Sequence, residues 1–385
     1  MKTQLTFSET DTIPSSMVAS NPTVSSPTIA EAYLTEALAA GRLRQIDILS
    51  HLIGLQHLDL PKAISSALKS PVFVGLDAEW FERAPHPITE LGVSIFLHQP
   101  RMNEPVMAHP LADLHSMITH HVRIIENAHM TNGELCQGYP EHFQFGKTRF
   151  VTMAQARQAL LEAFRCGPVI FIGHAVDNDI AFMKSHMGVD LAALGTIAVT
   201  LDTQVMAREL GLSPPTRKIS LKALLAQFRI TEPYLHNAGN DIAQTIIAAW
   251  LLAYENSIPG STYANPSNAI FTSVVKAQAN VTWRNQDTGY GIETFCTRCD
   301  SKEHTRHECT EVLFCTKCAG HPRLGGGANT HRTDKCTAVR MVVVPCEACS
   351  VSTDPKRWKN ATTHVGEECF FSGSESSGSD SAESV

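Results

Sequence analysis

The sequence contains no uninterrupted apolar run of about eighteen residues, the length at which a membrane-spanning helix is expected. Its longest candidate, Ile242 to Tyr254, is broken by Gln244 and Thr245 and reads as a buried helix. The N-terminus lacks the basic, apolar and small-residue series of a secretory signal, and Glu9 and Asp11 argue against a transit peptide. A reducing compartment is therefore expected, cytoplasmic and/or nuclear, with no membrane partner. Charge is also sparse. Asp, Glu, Lys and Arg make up 18% of the 385 residues, and the formal net charge is −7. That excludes a uniformly disordered chain, a coiled-coil rod and a globally basic duplex binder, although a local patch can still meet phosphate. Apolar residues, at 43%, suffice for a real core, and the length predicts two or three domains.

Composition shifts divide the chain. Residues 1–27 mix Ser, Thr and Pro without a period and are expected to be a disordered leader. Residues 28–69 read as a helical extension. Thr28 and Glu31 have capping-box spacing, Gly41 stops the first helix, and Ile46, Leu49, Leu52 and Ile53 continue at helical spacing. These helices either cap the next domain or dock a partner protein. Residues 70–256 carry strands at 72–77, 88–96, 122–125, 169–172 and 197–201, with helices at about 153–165, 221–228 and 240–254. Three strands followed by helix–strand alternation predict a mixed sheet with helices on its faces, an α/β domain. Residues 257–294 have linker composition, 295–370 form a Cys/His region, and 371–385 read as an acidic, Ser-rich tail.

Asp77 and Glu79 end the first apolar strand. Side chains alternate along a strand, so these two acids face the same way. Either both are solvated at an exposed strand end, or a cation sits between them. Gly173-His174 is followed by Asp177 and Asp179, where a buried strand gives way to a helix. Asp179 could serve as an N-cap or as a ligand, and Asp177 competes for the same slot. His174 reads as a structural neighbour, since imidazole suits softer metals. His236 and Asp241 stand at the start of the last helix.

Taken together, these motifs resemble the DEDDh group of 3′–5′ exonucleases of the ribonuclease H-like superfamily. The likeness covers about residues 70–255, including Leu201-Asp202-Thr203 and Ser220-Leu221-Lys222. The stretch His121 to Asn127 extends it to the fungal nuclease-like proteins linked to a DEAD-box mRNA-export helicase. The resemblance implies a ribonuclease H-like mixed sheet flanked by helices. It also implies a cage for two Mg²⁺ or Mn²⁺ ions made by Asp77, Glu79, Asp179 and Asp241, with His236 as general base. Asp179, rather than Asp177, matches the family spacing.

Of the 11 cysteines, all but Cys136 and Cys166 fall between Cys296 and Cys369. In a reducing compartment, clustering of this kind means metal. Cys296, Cys299, His304 and Cys309 have the spacing of a CCHC zinc knuckle. Cys315, Cys318, His331 and Cys336 repeat the ligand order over a longer interval, as do Cys346, Cys349, His364 and Cys369. His307 and His321 are alternative ligands. Three thiolates and one imidazole close a tetrahedral Zn²⁺ site, so up to three structural zinc ions are expected in a small zinc-stabilised C-terminal region. Lys and Arg there interleave with Phe295, Phe314 and Trp358, which suits either single-stranded RNA or DNA or a protein partner.

The expectation is a metal-dependent 3′–5′ exonuclease of single-stranded nucleic acid, RNA preferred. The alternatives are a catalytically silent nuclease-fold adaptor for RNA binding or export, and a DNA exonuclease.

Overall fold

The computed structural model describes residues 26–97, 114, 116–165, 167–214, 216–257, 290–319, 325–337 and 346–359, with 361, 366 and 369. Most of the expected leader, most of the linker and the acidic tail lie outside these residues. Two compact units are present. The first is residues 1–79, 90–126 and 138–293, and the second is 80–89, 127–137 and 294–385.

The first unit is built on a six-stranded sheet in the order β4-β3-β2-β1-β5-β6. Its strands are β1 (Val72–Trp80), β2 (Ile88–Leu97), β3 (Ile118–Ile124), β4 (Thr148–Val151), β5 (Val169–Gly173) and β6 (Ile197–Asp202). β2 and β3 pair antiparallel, whereas β1–β5, β5–β6 and β3–β4 pair parallel. This is the expected mixed α/β sheet. β4 was not anticipated, because four residues beginning Thr-Arg carry no readable period. The helices are α1 (Ser26–Ala39), α2 (Gln45–Leu52), α3 (Lys62–Ala67), α4 (Met153–Phe164), α5 (Val176–Phe182), α6 (Thr203–Glu209), α7 (Leu221–Gln227) and α8 (Ala238–Ser257).

Local chemistry explains several of their starts. Thr152 and Gln155 form a reciprocal capping box on α4, and Ser220 accepts from the Ala223 N–H at 3.2 Å on α7. The box expected at Thr28 and Glu31 does not open α1. That helix begins at Ser26, so Thr28 already lies inside it. α2 has a cap from a distance instead. The Glu209 carboxylate accepts from the Gln45 and Ile46 N–H groups, both at 2.9 Å.

α8 is buried on every side from Ala238 to Tyr254, and beyond its polar first turns its sequence is apolar all round to match. Trp250 is fully buried, 5.3 Å from Phe73 and 5.0 Å from Phe96 between ring centroids. Two glycines let the helix sit directly on the sheet. A Cβ on Gly75 would lie 2.7 Å from Ile242, and one on Gly92 would lie 2.0 Å from the Ala238 carbonyl oxygen. The N-terminal helices share this core, with Leu34, Ile46 and Leu49 completely buried. Among the described residues, no helix is long and apolar enough to cross a membrane.

The second unit joins two loops to the Cys/His region. The Glu82 carboxylate accepts N–H bonds from Gly133 at 3.0 Å, Glu134 at 2.9 Å and Leu135 at 2.7 Å, which ties the loops together. Asn132 pairs with the backbone of the other loop, donating to the Trp80 carbonyl and accepting from the Glu82 N–H, both at 2.8 Å. Arg83 donates to the Thr337 carbonyl at 2.6 Å and pairs with Glu134.

Candidate active site

Residues 75, 77 and 79 alternate onto one face of β1, the face on which Gly75 meets α8. Asp77 and Glu79 therefore look toward the helix that carries Asp241. Asp179 arrives from α5 on the neighbouring side, where its Oδ1 accepts from the Ala78 N–H at 3.2 Å. The residue is 5% exposed, whereas Asp177 faces solvent.

The start of α5 is itself held by a carboxylate. Asp202 accepts from the N–H groups of Ala175 (3.1 Å), Val176 (3.2 Å) and Gln204 (2.7 Å), so one side chain serves the beginnings of α5 and α6. His174 lies beside it and is bonded through Nδ1 to the Thr203 hydroxyl at 2.7 Å.

His236 precedes α8 with φ at 64°, in the left-handed region. Its N–H donates to Asp241 Oδ2 at 3.0 Å, and its carbonyl accepts from the Tyr139 N–H at 3.1 Å. Asp241 thus fixes the loop that presents the imidazole. The ring is half exposed, with Nδ1 3.8 Å from Glu79 Oε1. Ligand atoms of Glu79, His236 and Asp241 all lie within 4.8 Å of one another.

Electrostatics join Asp77 and Asp179 to this group. Burial, and then repulsion from Asp179, Asp241, Glu79 and Glu90, push the Asp77 carboxyl well above its usual range. Burial likewise raises Glu79, with Asp241, Glu90 and Asp179 adding to the shift. Asp179 is pushed up to about 8, chiefly by burial. Asp241 also rises to about 8 by burial, against the lowering effect of the His236 N–H. His236 moves down, through burial and then Lys222, which leaves a neutral ring at physiological pH.

Asp77 Oδ2 and Asp241 Oδ1 are buried without a hydrogen-bond partner among the described residues. Orphaned carboxylate oxygens in a cluster of mutually repelling acids fit a hard divalent cation. Sequence reasoning missed the fifth acid, Glu90, which is 4% exposed. Its only signal was a lone acid inside the apolar strand Ile88 to Phe96.

The C-terminal clusters also fit metal. Ligand atoms of Cys296, Cys299, His304 and Cys309 lie within 4.8 Å of one another, and so do those of Cys315, Cys318, His331 and Cys336. Cys346, Cys349 and Cys369 form the third group, and their expected partner His364 lies outside the described residues. The first two groups are cross-braced. Arg298 donates to the Thr330 carbonyl at 3.1 Å, Arg332 donates to the Cys299 carbonyl at 3.3 Å, and Asp300 pairs with both Arg332 and Lys335. Of the three interleaved aromatics, Phe314 (56%) and Trp358 (61%) are exposed, but Phe295 is 3% exposed beneath Lys335. Phe295 is therefore a packing residue and not part of an exposed stacking surface.

Residues 72–252 match the DEDDh family described as DNA polymerase III subunit epsilon-like, C-terminal domain. The matched segment is similar to DEDDh exonuclease domains, and it spans all five candidate residues. An uncharacterized nucleolar protein of Schizosaccharomyces pombe is 29% identical over 128 residues, 33% of this chain and 52% of that protein. The chain thus spans about half the length of this curated relative. Among solved structures, exonuclease I of E. coli in complex with a 5cy-dA13 oligonucleotide is similar at 12% identity. That match covers 49% of this chain and 41% of the other, with a TM-score of 0.29. The Saccharomyces cerevisiae Pan2 pseudoubiquitin hydrolase–RNA exonuclease module, in complex with A7 RNA, is 15% identical. It covers 58% and 32% of the two chains, with a TM-score of 0.28.

Proposed function

We propose that the protein is a metal-dependent 3′–5′ exonuclease of single-stranded nucleic acid, with RNA as the preferred substrate. What supports this reading is the grouping of Glu79, His236 and Asp241 within 4.8 Å, with buried, partnerless oxygens on Asp77 and Asp241 and with Asp179 held against β1 by the Ala78 N–H. Asp77, Glu79, Asp179 and Asp241 would hold two Mg²⁺ or Mn²⁺ ions. When bound, such ions supply positive charge for the attacking and leaving oxygens of an in-line displacement.

The chain's own groups do the remaining work. With Nδ1 turned toward Glu79, the Nε2 atom of His236 is the place to take the proton of the attacking water. The water oxygen bonds to the terminal phosphorus as its proton passes to His236, the bond from phosphorus to the preceding 3′ oxygen breaks, that oxygen takes up a proton from solvent, and a nucleoside 5′-monophosphate leaves. Asp241 keeps the His236 loop in register through its 3.0 Å bond to the backbone. Asp202 keeps α5, and so Asp179, at the edge of β1.

The Cys/His modules would hold up to three structural zinc ions, and exposed Phe314 and Trp358 among basic residues support contact with single-stranded RNA or DNA. The nucleolar relative supports a nuclear location. The test is 3′ trimming of 5′-labelled RNA and DNA oligomers with Mg²⁺ or Mn²⁺ and without either. Metal-dependent shortening of the RNA, faster than of the DNA, is expected. Absence of shortening on both would favour a silent adaptor, and faster DNA cleavage would reverse the substrate preference.

A further inference from the structure

We propose that Glu90 is a positioning residue for the candidate metal cage, anchoring the first turn of α8 through a buried row formed with His121 and Thr148. This rests on the reading of the acids as a divalent-cation site.

The row follows from strand register. Gly92 on β2 faces His121 on β3, and His121 faces Thr148 on β4. Glu90 is two residues from Gly92, so it shares their side of the sheet. α8 begins on that same side. The Cβ absent from Gly92 would strike the Ala238 carbonyl oxygen, and the one absent from Gly239 would lie 2.7 Å from the His121 Cβ. Glu90 Oε2 accepts from His121 Nε2 at 2.8 Å and more weakly from the Ala238 N–H at 3.4 Å, at the first residue of α8. His121 Nδ1 meets the Thr148 hydroxyl at 2.8 Å. In a neutral ring the carboxylate demands the proton on Nε2, so the hydroxyl donates to Nδ1 and locks the ring orientation.

A fifth buried acid beside four others needs compensation, and the imidazole together with the helix N-terminus supplies it. Asn237 caps the Asn240 N–H at 3.0 Å, so the Ala238 N–H is left for Glu90. Asp241 stands three residues further along the same turn and holds His236 in place. Displacing the start of α8 therefore moves a candidate ligand and the candidate base together.

The test compares full-length wild type with Glu90→Gln in three measurements: Mn²⁺ titration followed by electron paramagnetic resonance, amide hydrogen exchange over residues 236–241, and melting temperature without Mg²⁺ or Mn²⁺. Expected are an about 10- to 100-fold weaker Mn²⁺ affinity, the range for lost outer-shell partners, and faster exchange confined to the first turn of α8. Because one repelling charge is removed, the melting temperature should hold or rise. Exonuclease kcat should fall with Mn²⁺ affinity, while the KM for oligonucleotide stays within about twofold. Thr148→Val should reproduce a smaller effect and Thr148→Ser should restore wild-type behaviour, and this pair carries the test if Glu90→Gln does not fold. Unchanged affinity with unchanged exchange overturns the proposal, as does a melting temperature that falls in step with affinity. A wild type that binds Mn²⁺ but shortens no oligonucleotide overturns the exonuclease reading alone, and the exchange and Mn²⁺ comparisons still decide this one.

Discussion

Asp179→Asn should make the Mg²⁺- and Mn²⁺-free protein more stable at neutral pH, although it weakens the candidate site. Asp179 is 5% exposed, and burial pushes its carboxyl up to about 8. In the unfolded chain the same group titrates near 4. Between those values the folded state holds a proton that the unfolded state has released. Stability from this group is therefore present below pH 4 and is lost as pH rises toward 8. The slope is about 1.4 kcal/mol per pH unit. From pH 5.5 to 7, safely below the folded value, the wild type should lose about 2 kcal/mol relative to a side chain that does not titrate. In a domain of this size that is about 4–8 °C in melting temperature. Asn keeps the oxygen that accepts from the Ala78 N–H, so packing is preserved. The assay is calorimetric melting of both proteins in that pH window, with zinc retained. Histidines and the other acids are common to both proteins and largely cancel in the difference. Parallel loss of stability in the two proteins would refute the reasoning, because it would mean that Asp179 is not held protonated by a crowded buried pocket.

The remaining expectations concern function and metal. Asp77→Ala should abolish Mg²⁺-dependent shortening of an oligonucleotide while leaving the far-ultraviolet circular dichroism unchanged. His236→Ala should lower kcat by about 10²- to 10⁴-fold, the usual worth of a positioned general base, with Mn²⁺ affinity changed far less; equal losses of both would make the imidazole a ligand. Cys309→Ser should reduce the zinc content measured by mass spectrometry. It should also expose the second Cys/His group to chelators, because Arg298, Arg332 and Asp300 bind the two groups together. Trp250→Ala should cost about 3–5 kcal/mol by leaving a cavity against Phe73 and Phe96, read as a lower denaturation midpoint.

Much of the site was legible because its signals are local. The two-residue spacing of Asp77 and Glu79 places both on one strand face, and the five-residue spacing of His236 and Asp241 lets a helix side chain reach back to the loop before it. The cysteine spacings were legible for the same reason, since a metal site closes over short intervals. What the sequence hid is non-local. Glu90, His121 and Thr148 meet only through the pairing of three strands, and nothing near any of them announces the others. The role of Asp202 as a cap for two helices likewise depends on where β6 ends beside β5. Phe295 looked like a partner for nucleobases because Lys and Arg interleave with it in sequence, but Lys335, forty residues later, covers it. Thr28 failed as a helix start because α1 extends two residues further toward the N-terminus.

The Glu82 carboxylate, seated in the amides of Gly133, Glu134 and Leu135, and the bond from Arg83 to Thr337 bear on how this chain tolerates shortening. A protein cut before Thr294 would forfeit the Thr337 acceptor for Arg83, one of the bonds that anchor the segment from Trp80 to Thr89. That segment starts one residue after Glu79 and finishes one residue before Glu90. Excision of the cysteine-rich end therefore also takes a partner away from the loop that leads from β1 into β2.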